Sequence, residues 1–319
     1  MKEHLQLIAA TALILLLIPL VGYAKKTVPA DTETAETVSI YLTGSGETLT
    51  LSMHDYIVGA VAAQMPAELE PSALEAQAVL AATYARCRHL SESENPTPDL
   101  HGADMSDDGT LYQAFFTEQQ AKEVYGEDYG EALKKLSAAA DKAEGLTLTY
   151  DGRPILVAFH AVSPGATESA LTMWGEDIPY LTSVDSPQDR ELEECVSMVD
   201  FSDGELSARL KEEFGDLSDK PEELFSPASV SDNGTVLTVR IGSSVFPAER
   251  FCTLLGLRSQ NFTAEHRDGR WRFTVYGCGH LVGMSQYGAN EMAKSGSSAS
   301  EILLHYFPGT EIKKAREPQ

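Results

Sequence analysis

The sequence predicts an α+β fold, with antiparallel sheets and hairpins interspersed with helices, following an N-terminal apolar helix. Two Asp-Gly turns between strand-like runs supply hairpins, and one long alanine-rich stretch supplies a helix. No regular strand–helix–strand alternation appears, which argues against a parallel α/β sheet. Residues 1–24 open the chain with twenty uncharged, mostly apolar residues from Leu5 to Ala24, flanked by Lys2, Lys25 and Lys26. That length spans a bilayer as a single-pass transmembrane anchor, while Gly22-Tyr23-Ala24 also suits a cleaved signal peptide. Either reading puts the rest of the chain outside the cytoplasm, at a cell membrane. Residues 25–36 are polar, Thr-rich and interrupted by Pro29, as in a short linker.

Folded structure is expected from residue 37 to residue 319 as one domain. Val38–Leu42 and Leu49–Met53 flank Gly44-Ser45-Gly46 as a first hairpin, and His54–Ala63 suits a short buried helix. Ser72–Leu90 is the clearest helix, with Pro71 beside its start and Ala73, Leu74, Gln77, Ala78, Ala81, Tyr84 and Ala85 on one stripe; Gln77 is its single polar intruder. Further helices are expected at Thr117–Tyr125 and Tyr129–Ala143, with Gly145 as a C-cap. Leu146–Tyr150 and Pro154–His160 flank Asp151-Gly152, and Asn261–His266 and Arg270–Tyr276 flank Asp268-Gly269, both signals for type I′ turns. The charged stretch 187–233, with a helix at Gly204–Phe214, reads as a mobile insertion. Helices at Ala289–Lys294 and Ser300–Tyr306 complete the pattern.

The 319 residues carry a formal net charge of −24. A field of that sign repels phosphate backbones, so nucleic acid is excluded as a partner. Cys87, Cys195, Cys252 and Cys278 are scattered, with no CxxC pair, and read as buried free thiols; disulfide pairing is left open.

Three segments carry a resemblance. The first is Tyr56-Ile57-Val58-Gly59-Ala60-Val61-Ala62-Ala63-Gln64-Met65-Pro66-Ala67, followed by Ala73-Leu74-Glu75-Ala76-Gln77-Ala78-Val79. The second is Ser163-Pro164-Gly165-Ala166-Thr167-Glu168-Ser169, leading to Trp174-Gly175 and Pro179-Tyr180-Leu181. The third is Gly279-His280-Leu281-Val282-Gly283-Met284-Ser285-Gln286-Tyr287-Gly288-Ala289, ending at His305-Tyr306-Phe307-Pro308-Gly309-Thr310. In this order they resemble the stage II sporulation protein D family, also called the SpoIID/LytB domain.

The resemblance implies a membrane-anchored lytic transglycosylase that cleaves peptidoglycan glycan strands during engulfment in sporulation, beside an amidase and other engulfment proteins. Such an enzyme uses the sugar's own 6-hydroxyl, so one carboxyl group can protonate the leaving oxygen and then draw the proton from that hydroxyl. An acid of this kind needs a raised pKa. The family's acid position falls on Gln64, whose amide cannot deliver a proton. Losing general acid catalysis costs about 10²–10⁴-fold. Glu68, in the same loop, is the alternative acid, ahead of Glu70 and Glu75. His160, Ser163, Glu168, His280, Ser285, Gln286 and Tyr287 are the expected substrate-binding residues, and Trp174 and Tyr180 are apt surfaces for sugar rings. No cofactor is expected: the zinc cluster of some relatives aligns with His101 to Tyr112, where this chain keeps His101 but has Ser106, Leu111 and Tyr112. An arginine of the family is Ala82 here, and Leu281 stands where a glycine is usual. His54, His89, His266 and His305 read as structural. A second reading follows from Gln64: a glycan-binding or scaffolding relative that recruits or stimulates an amidase without cutting.

Overall fold

The computed structural model describes residues 36–215, 217, 218, 220 and 223–314. The expected anchor or signal peptide at 1–24, and all of the linker except residue 36, lie outside the described residues; among the described residues no helix is long and apolar enough to cross a membrane. These residues form two compact units, 36–157 with 296–302 and 310–314, and 158–295 with 303–309.

In the first unit, β1 (Thr37–Leu42) and β2 (Glu47–Ser52) form the expected hairpin, and alternation turns Val38, Ile40 and Leu42 inward. Ser52 ends β2 and caps α1 (Met53–Gln64), its Oγ accepting from the Asp55 N–H at 3.0 Å. α2 (Pro71–Glu94) starts on Pro71, whose missing N–H costs nothing at a first turn. Beyond the expected stripe it also buries Ala76, Val79, Leu80 and Ala82. The small side chains admit neighbours on several sides, so a single amphipathic face was too narrow an expectation. Thr83 Oγ1 donates to Val79 O (2.7 Å) and accepts from Leu148 N–H (2.9 Å), stitching the helix to the following sheet.

β3 (Met105–Ser106) runs parallel to β1, held by Asp104, whose Oδ2 accepts from the Ser39 N–H and hydroxyl at 2.8 and 2.7 Å. α3 (Glu118–Tyr125) begins at a capping box formed by Thr117 and Gln120. α4 (Tyr129–Ala143) ends on Glu144 in right-handed conformation, so Gly145 does not serve as a left-handed cap. β4 (Leu146–Tyr150) turns through Asp151 (φ 49°) and Gly152 (φ 78°) into β5 (Arg153–Pro154). One further bond, from Ile155 N–H to Leu148 O at 3.1 Å, follows Pro154, but residues 155–158 are not in a strand, so the expected strand does not run on to His160. The C-terminal strand Glu311–Lys314 pairs with the other edge of β4.

In the second unit, the chain resumes as β6 (Phe159–His160), followed by α5 (Ala170–Trp174), capped by Ser169 and closed by Gly175. The stretch expected to be an insertion contributes β7 (Val196–Ser202), α6 (Asp203–Phe214) and β8 (Ser226–Val230). β9 (Val236–Ile241), β10 (Ser244–Pro247) and α7 (Ala248–Leu255) come next, then β11 (Phe262–Arg267) and β12 (Arg270–Tyr276) around Asp268 and Gly269, both at positive φ. β12 pairs with β7 over seven residues, and Phe201, Leu206 and Phe225 from 187–233 share one core with Phe251, Trp271 and Phe273. The acidic residues that made this stretch look like an insertion mostly face solvent. β13 (Met284–Ser285) lies parallel to β6 and leads into α8 (Gln286–Lys294), and α9 spans Ala299–Tyr306.

One close approach in the first unit makes a stability prediction. A Cβ on Gly59 of α1 would sit 2.3 Å from Phe115 Cε2 and 2.4 Å from Phe116 O, where Phe116 N–H donates to Gly59 O. Gly59→Ala should therefore cost about 1–3 kcal/mol, although alanine is the better helix former. Urea unfolding of the two chains measures it, and unchanged or higher stability would contradict the packing.

Candidate functional site

Residue 64 is the last of α1, half-buried, in the first unit. Its Nε2 donates to the Ala114 carbonyl at 2.8 Å, and its Oε1 accepts from Gln77 Nε2 at 2.6 Å. The assignment of the two ends is forced. A carbonyl oxygen only accepts, so the atom facing Ala114 must be nitrogen, which leaves oxygen to face Gln77. Gln77, the polar intruder on the apolar stripe of α2, is fully buried because residue 64 is its partner. Periodicity flagged Gln77 as anomalous; nothing in the sequence linked it to Gln64 or to the Ala114 carbonyl.

Glu68 is exposed, in the turn between α1 and α2. The Tyr125 hydroxyl donates into this turn, towards the Ala62 and Met65 carbonyls at 3.2 and 3.4 Å. Burial, and secondarily the charge of Glu68, push that phenol's pKa well up. Glu68 also borders a groove of about 310 Å³ with Glu70, Glu75, Lys135 and Lys142, in which Glu75 and Lys142 pair at 2.9 Å.

In the second unit, His160 ends β6 and is buried. Its Nδ1–H donates to Val282 O at 3.2 Å, which fixes the neutral tautomer and leaves the Nε2 lone pair buried with no hydrogen-bond partner. Burial, and then the neighbouring His280, push its pKa down to about 3. The His280 ring lies edge-on, 6.0 Å from it, with Nδ1 accepting from Val282 N–H at 3.1 Å. Solvent reaches part of this ring, yet protein crowds the remainder and lowers its pKa, against opposing hydrogen bonds to the backbone of Phe159 and of His280 itself. Trp174, from the end of α5, sits 5.5 Å from the His280 ring and keeps 41 % of its surface exposed. Tyr180 is half-buried rather than part of the core.

The two serines expected to bind substrate are fully buried and meet on one carboxylate. Asp189 Oδ2 accepts from Ser163 N–H (2.9 Å) and from the Ser285 hydroxyl (2.7 Å), while Ser285 Oγ also caps α8 by accepting from Gly288 N–H at 3.2 Å. Ser186 and Tyr306 join hydroxyls at 2.8 Å beside it. Burial raises the Asp189 pKa, and the bonds from Ser163, Ser285 and Ser186 oppose the shift. Sequence reasoning missed Asp189, whose only signal was an acid after Ser186-Pro187 at the edge of the supposed insertion.

Glu168 is buried too, its Oε1 accepting from the Ser231 hydroxyl at 2.6 Å and its N–H donating to Leu281 O at 2.7 Å. Gln286 is buried at the start of α8, and Tyr287 N–H donates to Ala161 O at 3.0 Å. Leu281 is buried at φ 67°, the left-handed conformation that a glycine adopts without cost.

His101 also has positive φ and packs its ring 4.7 Å from Tyr41; Ser106 is buried, Leu111 exposed, and Tyr112 lies under Arg88. Among the described residues no group of three or more His, Cys, Asp or Glu is placed to hold a metal ion. His54, His89 and His266 lie against Asp141, Asp104 and Asp203, and His305 against the Asp185 carbonyl. All four cysteines are free thiols, with Cys195 and Cys252 buried and Cys87 and Cys278 partly so.

A family model described as stage II sporulation protein matches residues 42–150. Over 288 residues the chain is 32 % identical to the stage II sporulation protein D of Bacillus amyloliquefaciens, covering 90 % of this chain and 81 % of that protein. It is 33 % identical to that of Bacillus subtilis (strain 168), covering 90 % and 82 %. A protein of the same B. subtilis strain named amidase enhancer is 24 % identical over 304 residues, 80 % of this chain and 40 % of that one.

The buried imidazole sets a pH dependence. His160 takes its proton near pH 6.5 when unfolded but only near 3 when folded, so its contribution to stability is complete above the unfolded value and is lost as pH falls towards 3. The loss approaches about 5 kcal/mol at most. In His160→Gln, stability should fall less between pH 6.5 and 3 than in the unaltered chain; equal slopes in denaturant titrations would contradict the assignment.

Proposed function

Since the chain belongs to the stage II sporulation protein D family, we propose that it remodels the cell wall in sporulation by gripping glycan strands of peptidoglycan outside the cytoplasm, tethered by its N-terminal segment. The observation that carries the reading is the exposed indole of Trp174 against the part-exposed His280, both in segments that carry the resemblance. A flat indole offers its face to the C–H side of a sugar ring, and the His280 imidazole beside it offers ring nitrogens for hydrogen bonds to hydroxyls. Gln64 favours binding over cutting, because its two amide ends are held by Ala114 and Gln77 and neither can release a proton at accessible pH. An amidase is the partner that this reading calls for, supported by likeness to a protein named amidase enhancer.

Lytic cleavage with Glu68 as the acid is the second reading. Its support is position: Glu68 follows Pro66 in the turn that begins at residue 64, beside the buried hydroxyl of Tyr125.

Co-sedimentation with purified, peptide-free glycan strands tests the first reading. Trp174→Ala should bind about tenfold more weakly, equivalent to about 1.4 kcal/mol. Undiminished binding would remove the indole from the contact.

A further inference from the structure

We infer that the open edge of β7 is a docking site for an extended segment of another protein, one that runs antiparallel to β7, is apolar at alternate positions and is acidic towards its N-terminal end. β7 is an outer strand of its sheet and pairs with β12 alone. Gly277 N–H donates to Cys195 O at 2.7 Å and Asp203 N–H donates to Gly269 O at 3.1 Å, which fixes the odd-numbered residues as those that face β12. Antiparallel alternation then turns the N–H and C=O of Val196, Met198 and Asp200 to the open side. None of these backbone groups has a hydrogen-bond partner among the described residues. Ser202, next in the series, gives its N–H to the Glu205 carboxylate at 2.8 Å.

The other outer strands of the three-stranded sheets in this unit are blunted against such pairing. β8 contains Pro227 and shifts register twice, β10 ends on Pro247, and β11 ends on Glu265, His266 and Arg267. β7 runs seven residues without proline or a shift of register, and its one charge, Asp200, is already paired with Arg272 at 2.9 Å. On the solvent face, Val196 and Met198 are 39 % and 63 % exposed, and half-buried Tyr276 lies opposite Val196. At the far end, Arg270 lies opposite Ser202, exposed and without an ion pair among the described residues. An added antiparallel strand therefore sets apolar side chains beside Val196 and Met198, and a carboxylate from its N-terminal end beside Arg270. A second copy of the chain fits this edge less well: a two-fold axis at Met198 would set Val196 of one chain against Asp200 of the other, and it would join two chains of net charge −24. Docking here is independent of whether the chain grips glycan.

The test is hydrogen exchange of the full-length chain over residues 196–202, with and without a blocked synthetic peptide that alternates valine and threonine and begins with two glutamates. Amides of Val196, Met198 and Asp200 should exchange at least about tenfold more slowly with the peptide, and a peptide with lysines in place of the glutamates should bind at least about tenfold more weakly, equivalent to about 1.4 kcal/mol. Arg270→Glu should reverse that preference. Met198→Pro removes an outward N–H and no bond to β12, so this variant should fold and lose the protection. Should it not fold, the charge reversal at the exposed Arg270 remains the readout. Unslowed exchange at saturating peptide, equal binding of the two peptides, or undiminished protection in a folded Met198→Pro chain would overturn the inference. Protection that grows with protein concentration in the absence of peptide would overturn it in favour of a second copy.

Discussion

The bond from the Gln64 amide to the Ala114 carbonyl is the constraint on which the functional account rests, and it works by exclusion. A backbone carbonyl cannot rotate into a donor, and the segment that presents it is held by the bond from Phe116 N–H to Gly59 O within α1. Close packing of the two phenylalanines leaves no room for a side chain at Gly59, so the carbonyl stays in register with the end of the helix. What occupies position 64 must therefore donate there. Glutamine does so permanently, and it needs Gln77 to satisfy its other end. The pair is a polar link between α1 and α2 in an otherwise apolar contact, where an unmet amide would cost about 1–3 kcal/mol.

The second unit is organised around a different polar node. Asp189 joins Ser163 of one signature segment to Ser285 of another, and Ser285 in turn starts α8. A buried carboxylate is tolerable only with such donors. The serines are consequently unavailable at the surface, while His280 and the indole of Trp174 supply the exposed chemistry. The same unit carries strain at Leu281, a left-handed residue that costs roughly 1–2 kcal/mol in backbone energy. Burial of the leucine side chain returns about 1.5–3 kcal/mol, which offsets that cost.

Local features were legible in the sequence, and long-range ones were not. Asp151-Gly152 and Asp268-Gly269 both turn at positive φ as their chemistry demands, and the helix expected at Tyr129–Ala143 has those bounds. The hairpin strand expected to reach His160 is short: its ladder ends with the bond from Ile155 N–H to Leu148 O. The role of 187–233 was hidden because β7 and α6 combine solvent-facing acids with isolated core residues such as Phe201 and Leu206, so average composition outweighed position. Within the candidate site, residue types were readable but partners were not. Gln64 stood out as an amide where an acid was expected, whereas Ala114, a carbonyl fifty residues away, has no side-chain signal at all. Ser163 and Ser285 looked like surface donors because their common acceptor, Asp189, lay in the segment taken for an insertion.

Binding without cutting is the claim that joins these features, and the products of the unaltered chain decide it. Full-length protein incubated with peptide-free glycan strands should retain them in the bound fraction while mass spectrometry finds no 1,6-anhydromuramic ends above a protein-free control. Anhydro ends that accumulate with time, and vanish in Glu68→Gln, would contradict the account and move the chemistry from residue 64 to its neighbour.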